Sequence, residues 1–346
     1  KPDFVKELTA EYERVRIHHE KHRGAKQLIT LEQARSNRLK IEFKAEDCSA
    51  PIKLGLTHFD EFPIEDLVEF IDWTPFFQTW ELHGKYPEIL TDEVVGTEAV
   101  RLFEDAQDML KTIVLEKWLT AKAIVGLFPA NSVGDDIEIY SDESRTNVIH
   151  IQHTLRQQTK KAEGQPNISL ADFIAPAETK AQDHIGAFAV TIHGIEEHLK
   201  RFEAAHDDYN KIMLQALADR LAEAFAEVLH QRTRKEFWGY AKDETLSNED
   251  LIKEQYIGIR PAPGYPACPD HTEKQAVWDL LDVEAKVGMQ LTSSYAMFPP
   301  SSVSGLYFFN EAARYFNIGK IGRDQLEDYA ARKNFSKEQA EMWLAP

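Results

Sequence analysis

The stretch Val125–Tyr140, VGLFPANSVGDDIEIY, decides the fold class. It opens inside a short apolar run, Ala123–Phe128, that reads as a strand. Asn131–Asp136 then carries turn chemistry, with Asn, Ser, Gly and two Asp in six positions. Asp136-Ile137-Glu138-Ile139-Tyr140 alternates polar and apolar with period two, and Asn147–Gln152 repeats the alternation. Strands this close in sequence pair antiparallel, because a parallel crossover needs a dozen or more residues. Ile185–Ile192 is apolar throughout and reads as a buried central strand.

Helical patterns lie on both sides of these strands. Ile71–Trp80 is the most aromatic segment, with Pro75 suited to a first helical turn and Thr74 to its cap. Ala99, Leu102, Phe103, Ala106, Leu110 and Ile113 mark one apolar helix face. Ile212–Val228 is a second helix, with Leu214, Leu217, Leu221, Phe225 and Val228 on its stripe. Gln275–Val287, Arg323–Arg332 and Ser336–Leu344 are also helical, the last opened by a Ser336 and Gln339 capping box. Leu306–Phe309 and Tyr315–Ile318 read as a hairpin or two neighbouring strands, and Cys48–Pro63 as irregular chain. The expected class is therefore α+β, an antiparallel sheet flanked by helices in one large domain. No G-x-G-x-x-G follows a strand, so a Rossmann reading fails.

Composition narrows the function. The 346 residues carry a formal charge of -18, which argues against nucleic acid as a partner. No apolar run is long enough to span a bilayer, so no membrane association is expected. Two cysteines make no disulfide framework, and a cytoplasmic setting is the simpler expectation. The sequence starts at Lys1 rather than Met and reads as a piece of a longer polypeptide, with Phe4–His18 an exposed linker helix. His18, His19 and His22 lack zincin spacing and read as part of a solvated linker.

The most specific local feature is Arg260-Pro261-Ala262-Pro263-Gly264-Tyr265-Pro266-Ala267-Cys268-Pro269. Four prolines fix φ and remove four donors, so the segment is neither helix interior nor central strand. A stiff loop of this kind is equally a rigid surface connector or a preorganised binding loop. Arg260 offers a planar fork for a carboxylate. Asp72 sits inside an aromatic segment, where it serves either a ligand or the start of a helix. Glu223 falls away from the Leu217, Leu221 and Phe225 stripe and reads as solvated. Tyr315 and Phe316 read as strand residues. Cys268 has no basic chain neighbour and is given no catalytic role. No P-loop, zinc cysteine cluster or nucleophile elbow occurs, and no catalytic or metal residue is expected.

Several blocks together carry a resemblance. Ile71–Trp80, Val125–Tyr140, Thr154–Gln158 (TLRQQ), Asp207–Met213 (DDYNKIM), Ala216–Ala226 (ALADRLAEAFA) and Ile259–Lys274 (IRPAPGYPACPDHTEK) are similar, in order and spacing, to cobalamin-dependent methionine synthase. The similarity is to its C-terminal region, which binds S-adenosylmethionine (AdoMet), and runs from about Leu28 to Pro346. It implies residues 28–346 as the AdoMet-binding activation domain, and 1–27 as linker after a cobalamin module. The implied function is reactivation within a methyltransferase of methionine biosynthesis: AdoMet supplies the methyl group that turns cob(II)alamin into methylcobalamin. The fragment alone would not perform the full reaction. Cobalamin, and zinc, would belong to other modules of the enzyme. The implied partners are the cobalamin-binding module and an electron donor, flavodoxin or a flavoprotein reductase. The alternative is a non-enzymatic docking module that caps cobalamin and recruits that donor. The resemblance places AdoMet contacts at Asp72, Glu223, Arg260, Gly264, Tyr265, Tyr315 and Phe316, with Glu254 and Ala262 further candidates. The family often has Tyr where Phe316 stands. Arg260 would grip the carboxylate or a polar edge near it, Asp72 the ammonium or a ribose hydroxyl, and the Ala262–Tyr265 backbone the adenine or methionyl tail. Tyr315 would lie near the sulfonium.

Overall fold

The computed structural model describes residues 27–44 and 48–344. The linker helix Phe4–His18, with His18, His19 and His22, lies outside the described residues. The organising element is a strand of 14 residues, β2 (Thr120–Val133), preceded in the chain by β1 (Gly55–Phe62). It turns through Gly134 and Asp135 into β3 (Asp136–Tyr140), which pairs with β4 (Val148–His153). β5 (Asp183–His193) lies along the other edge of β2, from Thr120 to Ala130. β1 and β3 share the remaining edge, on Ala121–Leu127 and Ala130–Val133 respectively. Pro129 falls in the gap between them, where a missing N–H is tolerated. After a two-strand ribbon, β6 (Gln290–Leu291) and β7 (Met297–Phe298), β8 (Ser302–Tyr307) adds to β5. The order is β4-β3-β2-β5-β8, with antiparallel pairing throughout.

Both faces of β2 and β5 are covered, which is why their sequences are apolar almost without break. Ala121, Ala123, Val125 and Leu127 join Phe188, Val190 and Ile192 on one face. Ile124, Phe128, Ala130, Ile185, Ala187 and Ala189 face the other way. The first face is covered by helices from the aromatic segment, from Gly96–Glu116 and from a 25-residue helix, Asp208–Arg232. The second is covered by Leu170–Phe173, Lys274–Leu281 and Val283–Val287. The long helix is buried nearly all round from Met213 to His230, not on one stripe. It then loosens into a π turn at Thr233–Phe237.

Four expectations need correction. Gly55–Phe62 is a strand, not irregular chain. It sits at the sheet edge with alternating exposure, so no apolar run announces it. Thr74 is the first residue of its helix rather than the cap. Trp73 holds that position, and Asp72 Oδ1 accepts the Thr74 N–H at 3.0 Å. The Gln275–Val287 helix is broken at Asp282, whose φ of 52° ends one helix and starts the next. Tyr315–Ile318 forms no strand; it is loop held by single contacts. The C-terminal helices, Arg323–Lys333 and Lys337–Leu344, carry the expected capping box: Ser336 Oγ accepts the Gln339 N–H, and Gln339 Oε1 accepts the Ser336 N–H.

Candidate functional site

The proline segment docks onto the outer edge of β8. Ile259 N–H donates to Phe308 O at 3.1 Å, Phe308 N–H returns to Ile259 O at 3.0 Å, and Leu306 N–H donates to Pro261 O at 2.9 Å. Arg260 is thus pinned between two residues that behave as a short extra strand. A Cβ on Gly305 would come within 2.8 Å of Pro261 O, so only glycine permits this approach. Beyond it the chain reverses tightly. Gly264 N–H donates to Cys268 O at 2.7 Å, and Cys268 N–H to Tyr265 O at 2.9 Å. Gly264 has φ +94°, and a Cβ there would lie 2.3 Å from the His271 ring. Ile318 N–H donates to Pro266 O at 2.9 Å, which brings the Tyr315–Ile318 loop against the turn.

These elements enclose a cavity of about 330 Å³, within the usual range for a small-molecule pocket. Glu223, Glu254, Arg260, Ala262, Tyr265, Tyr315 and Phe316 all line it. Asp72 does not. It lines an adjoining cavity of about 140 Å³, whose walls also include Glu223, Glu254 and Arg260. Gly264 lines neither and acts as the hinge of the turn. The sequence-selected residues therefore converge, with Asp72 one compartment away.

Arg260 is the electrostatic centre. Its side chain is 22% exposed, and its Nη2 pairs with Glu227 Oε2 at 2.7 Å. Nη1 donates to Tyr256 Oη at 3.0 Å and to His230 Nδ1 at 3.2 Å. Burial is the largest single influence and works against its charge, but Glu227 and the neighbouring Tyr256 and Tyr315 together outweigh burial and keep the guanidinium protonated. Its own N–H donates to Tyr315 Oη at 3.0 Å. Burial raises the Tyr256 phenol far above its ordinary value, so it stays neutral. Glu254, at φ 54°, has its carboxyl raised by partial burial; Arg260 opposes that and Glu227 adds to it. Burial likewise raises the Cys268 thiol, an inert group without a disulfide.

Sequence reasoning missed Glu227, His230 and Tyr256, which hold Arg260, and Lys274 and Phe188, which line the cavity. Glu227 and His230 did leave a signal. They are polar groups in a helix stretch, Ala224–His230, that is otherwise apolar on every side. A charge on a helix face with no exposed side needs a partner.

Fold and cleft define the class: an antiparallel α+β domain with, among the described residues, a stiff-walled, arginine-bearing cleft of ligand size and no metal-holding cluster. The chain belongs to the family of vitamin B12-dependent methionine synthase activation domains, whose family model matches residues 63–334. It is similar to the MetH reactivation domain, known from a crystal structure bound to AdoHcy. The two share 57% identity with a TM-score of 0.90, over 92% of this chain and 98% of that one. The family is part of methionine synthase, a methyltransferase, and no helix among the described residues is long and apolar enough to cross a membrane.

Proposed function

We propose that this chain binds AdoMet in the Arg260 cleft and serves, inside a cytoplasmic methionine synthase, to restore cobalamin that has been oxidised. The observation that carries this reading is a cleft of ligand size, lined by the proline segment, in a domain 57% identical to one that holds AdoHcy. AdoHcy is what AdoMet becomes once its methyl is gone. A cobalamin held by a neighbouring module would take that methyl after an external flavodoxin or flavoprotein reductase supplies one electron. The S–CH3 bond breaks and its electron pair stays on sulfur. The sulfonium activates its own methyl, so the chain need only bind and position.

The side chains present suit the ligand. After its three contacts Arg260 keeps two of its five N–H donors for the methionyl carboxylate. Asp72, Glu223 and Glu254 offer anionic partners to the ammonium or ribose. Tyr265, Tyr315 and Phe316 present ring faces to the adenine and the sulfonium. The Ala262–Tyr265 backbone is the rigid edge against which the adenine or methionyl tail is read. Phe316 contributes a ring but no hydroxyl.

Calorimetry with AdoMet and AdoHcy tests the reading. Saturable binding of both is expected, and Arg260→Ala should weaken it tenfold to about a hundredfold, the worth of one charge-assisted contact. Absence of saturation in the parent chain overturns the proposal. A second reading, docking against the cobalamin module, is favoured by the exposed rings of Tyr265 and Tyr315 at the cleft rim. Binding to that module without any dependence on AdoMet would separate it from the first.

A further inference from the structure

We propose that Glu227 is a positioning residue for ligand binding: with His230 and Tyr256 it presets the Arg260 guanidinium before the ligand arrives. This rests on the AdoMet-site reading above and names residues that reading does not contain.

Glu223, Glu227 and His230 stand at i, i+4 and i+7 on the long helix and so share one face. Glu223 is exposed at the cavity wall; Glu227 is buried on the Arg260 side of the main cavity, where it borders only the adjoining Asp72 compartment, and His230 is buried and lines neither. A buried carboxylate is retained only against a paired cation, and Arg260 Nη2 at 2.7 Å is the ion-pair partner of Glu227. The arginine can only donate, so His230 Nδ1 must be the acceptor and its proton sits on Nε2. Tyr256 Oη takes the other Nη1 proton. His230 is itself fixed by stacking on Tyr307, ring centroids 4.9 Å apart at 6°. Tyr307 stacks in turn on Phe188, a residue of the cavity wall. The guanidinium is therefore held at Nη1 and Nη2, with Nε–H and one Nη2 proton left over. Glu227 Oε1 and His230 Nε2 have no hydrogen-bond partner among the described residues. Polar atoms buried without full satisfaction are not what stability selects. They are tolerated where the arrangement serves a site.

The consequence is entropic. An unrestrained arginine loses rotamer freedom when it grips a ligand; one held from behind has already lost it. Glu227→Gln keeps the shape and removes the charge that fixes Nη2. It should weaken AdoHcy binding roughly three- to tenfold, the worth of immobilising one long side chain.

The test is calorimetry on four chains: parent, Glu227→Gln, Arg260→Ala and the double variant. Each is titrated with AdoHcy and with methylthioadenosine, which keeps the adenosine and sulfur but lacks the amino-acid tail. The expected result is a loss for AdoHcy in Glu227→Gln, none for methylthioadenosine, and no further loss on top of Arg260→Ala. A merely structural role would weaken both ligands alike and add to the Arg260 effect, and either outcome overturns the inference. So does tighter AdoHcy binding in Glu227→Gln, which would mean Glu227 competes with the ligand for Arg260. Tyr256→Phe, a milder change at Nη1, gives the same readout should Glu227→Gln fold poorly. If the parent chain binds neither ligand, the AdoMet-site reading itself falls. If Arg260→Ala loses AdoHcy and Glu227→Gln does not, only the positioning role falls.

Discussion

Arg156 and Arg260 are both arginines held by acids, yet their surroundings differ in one respect. Arg156 is 1% exposed and spends every N–H it has. Nε and Nη2 donate to Asp135, Nη1 and Nη2 to Asp172, and Nη1 also to Asn167 O, all between 2.6 and 2.8 Å. Arg35 adds a second cation on Asp135 at 2.7 Å, and Gln325 ties the Arg156 backbone to the Arg323–Lys333 helix. Arg260 satisfies part of its fork and faces a cavity with the rest. A saturated arginine locks chain segments together; an unsaturated one that borders a cavity is available to a ligand. Both lie in sequence blocks that carry the family resemblance, so the blocks alone do not tell lock from site.

The sharpest way to break this contrast is Arg156→Met. The change strands Asp135 and Asp172 in a dry interior with only Arg35 near the first. Losing one partner of a buried charge cluster costs about 3–5 kcal/mol. Urea unfolding should show that loss while the folded protein keeps its AdoHcy affinity within about twofold. A variant that stays stable, or that unfolds no more easily but loses ligand, would mean Arg156 is not the lock.

A smaller effect separates the two regions by pH. His230 is neutral when folded, because burial and then the Arg234 and Arg260 charges push its pKa well below 6.5; Glu227, Tyr256 and Tyr307 are its other neighbours. The unfolded chain takes up this proton below about pH 6.5 and the folded chain does not. The stability that follows is fully present above pH 6.5 and is lost as pH falls, by up to about 1.4 kcal/mol per unit. His230→Gln abolishes that component, so the gap between parent and variant should narrow from pH 7.5 to pH 5. Equal slopes in urea midpoints would show that His230 does protonate in place. The Arg156 cluster contains no histidine and contributes no such step in this range.

How much of this was legible depends on where the information sits. Strand alternation in Asp136–Tyr140 and the unbroken apolar Ile185–Ile192 are local patterns, and both strands stand where they were read. Gly55–Phe62 was hidden because an edge strand with polar residues on one side needs no apolar run. Tyr315 reads as strand because aromatic residues favour strands, whereas its loop is held by Ile318 N–H on Pro266 O and Arg260 N–H on Tyr315 Oη, distant contacts that no local pattern supplies. The stiffness of Arg260–Pro269 follows from its four prolines, but its partner, the free edge of β8, is nearly fifty residues away and no local rule supplies it. Glu223 illustrates the limit best. Periodicity assigns it to solvent, correctly, and its exposure is what lets it line a cavity that only the tertiary fold creates.

Tyr315 gives the finest test of the contrast. Its hydroxyl accepts the Arg260 N–H at 3.0 Å and lies 3.4 Å from Tyr256 Oη, while its ring borders the cavity. Tyr315→Phe keeps the ring and strands one backbone donor at a partly exposed position, where water takes over. The stability cost should be about 0.5–1.5 kcal/mol, that of one neutral hydrogen bond. If the hydroxyl only tethers the loop, AdoHcy affinity should fall by threefold or less, since the ring face remains for the ligand. A loss as large as that of Arg260→Ala would move Tyr315 from the wall of the site to its centre, and the partly filled fork of Arg260 would no longer be what distinguishes this arginine from Arg156.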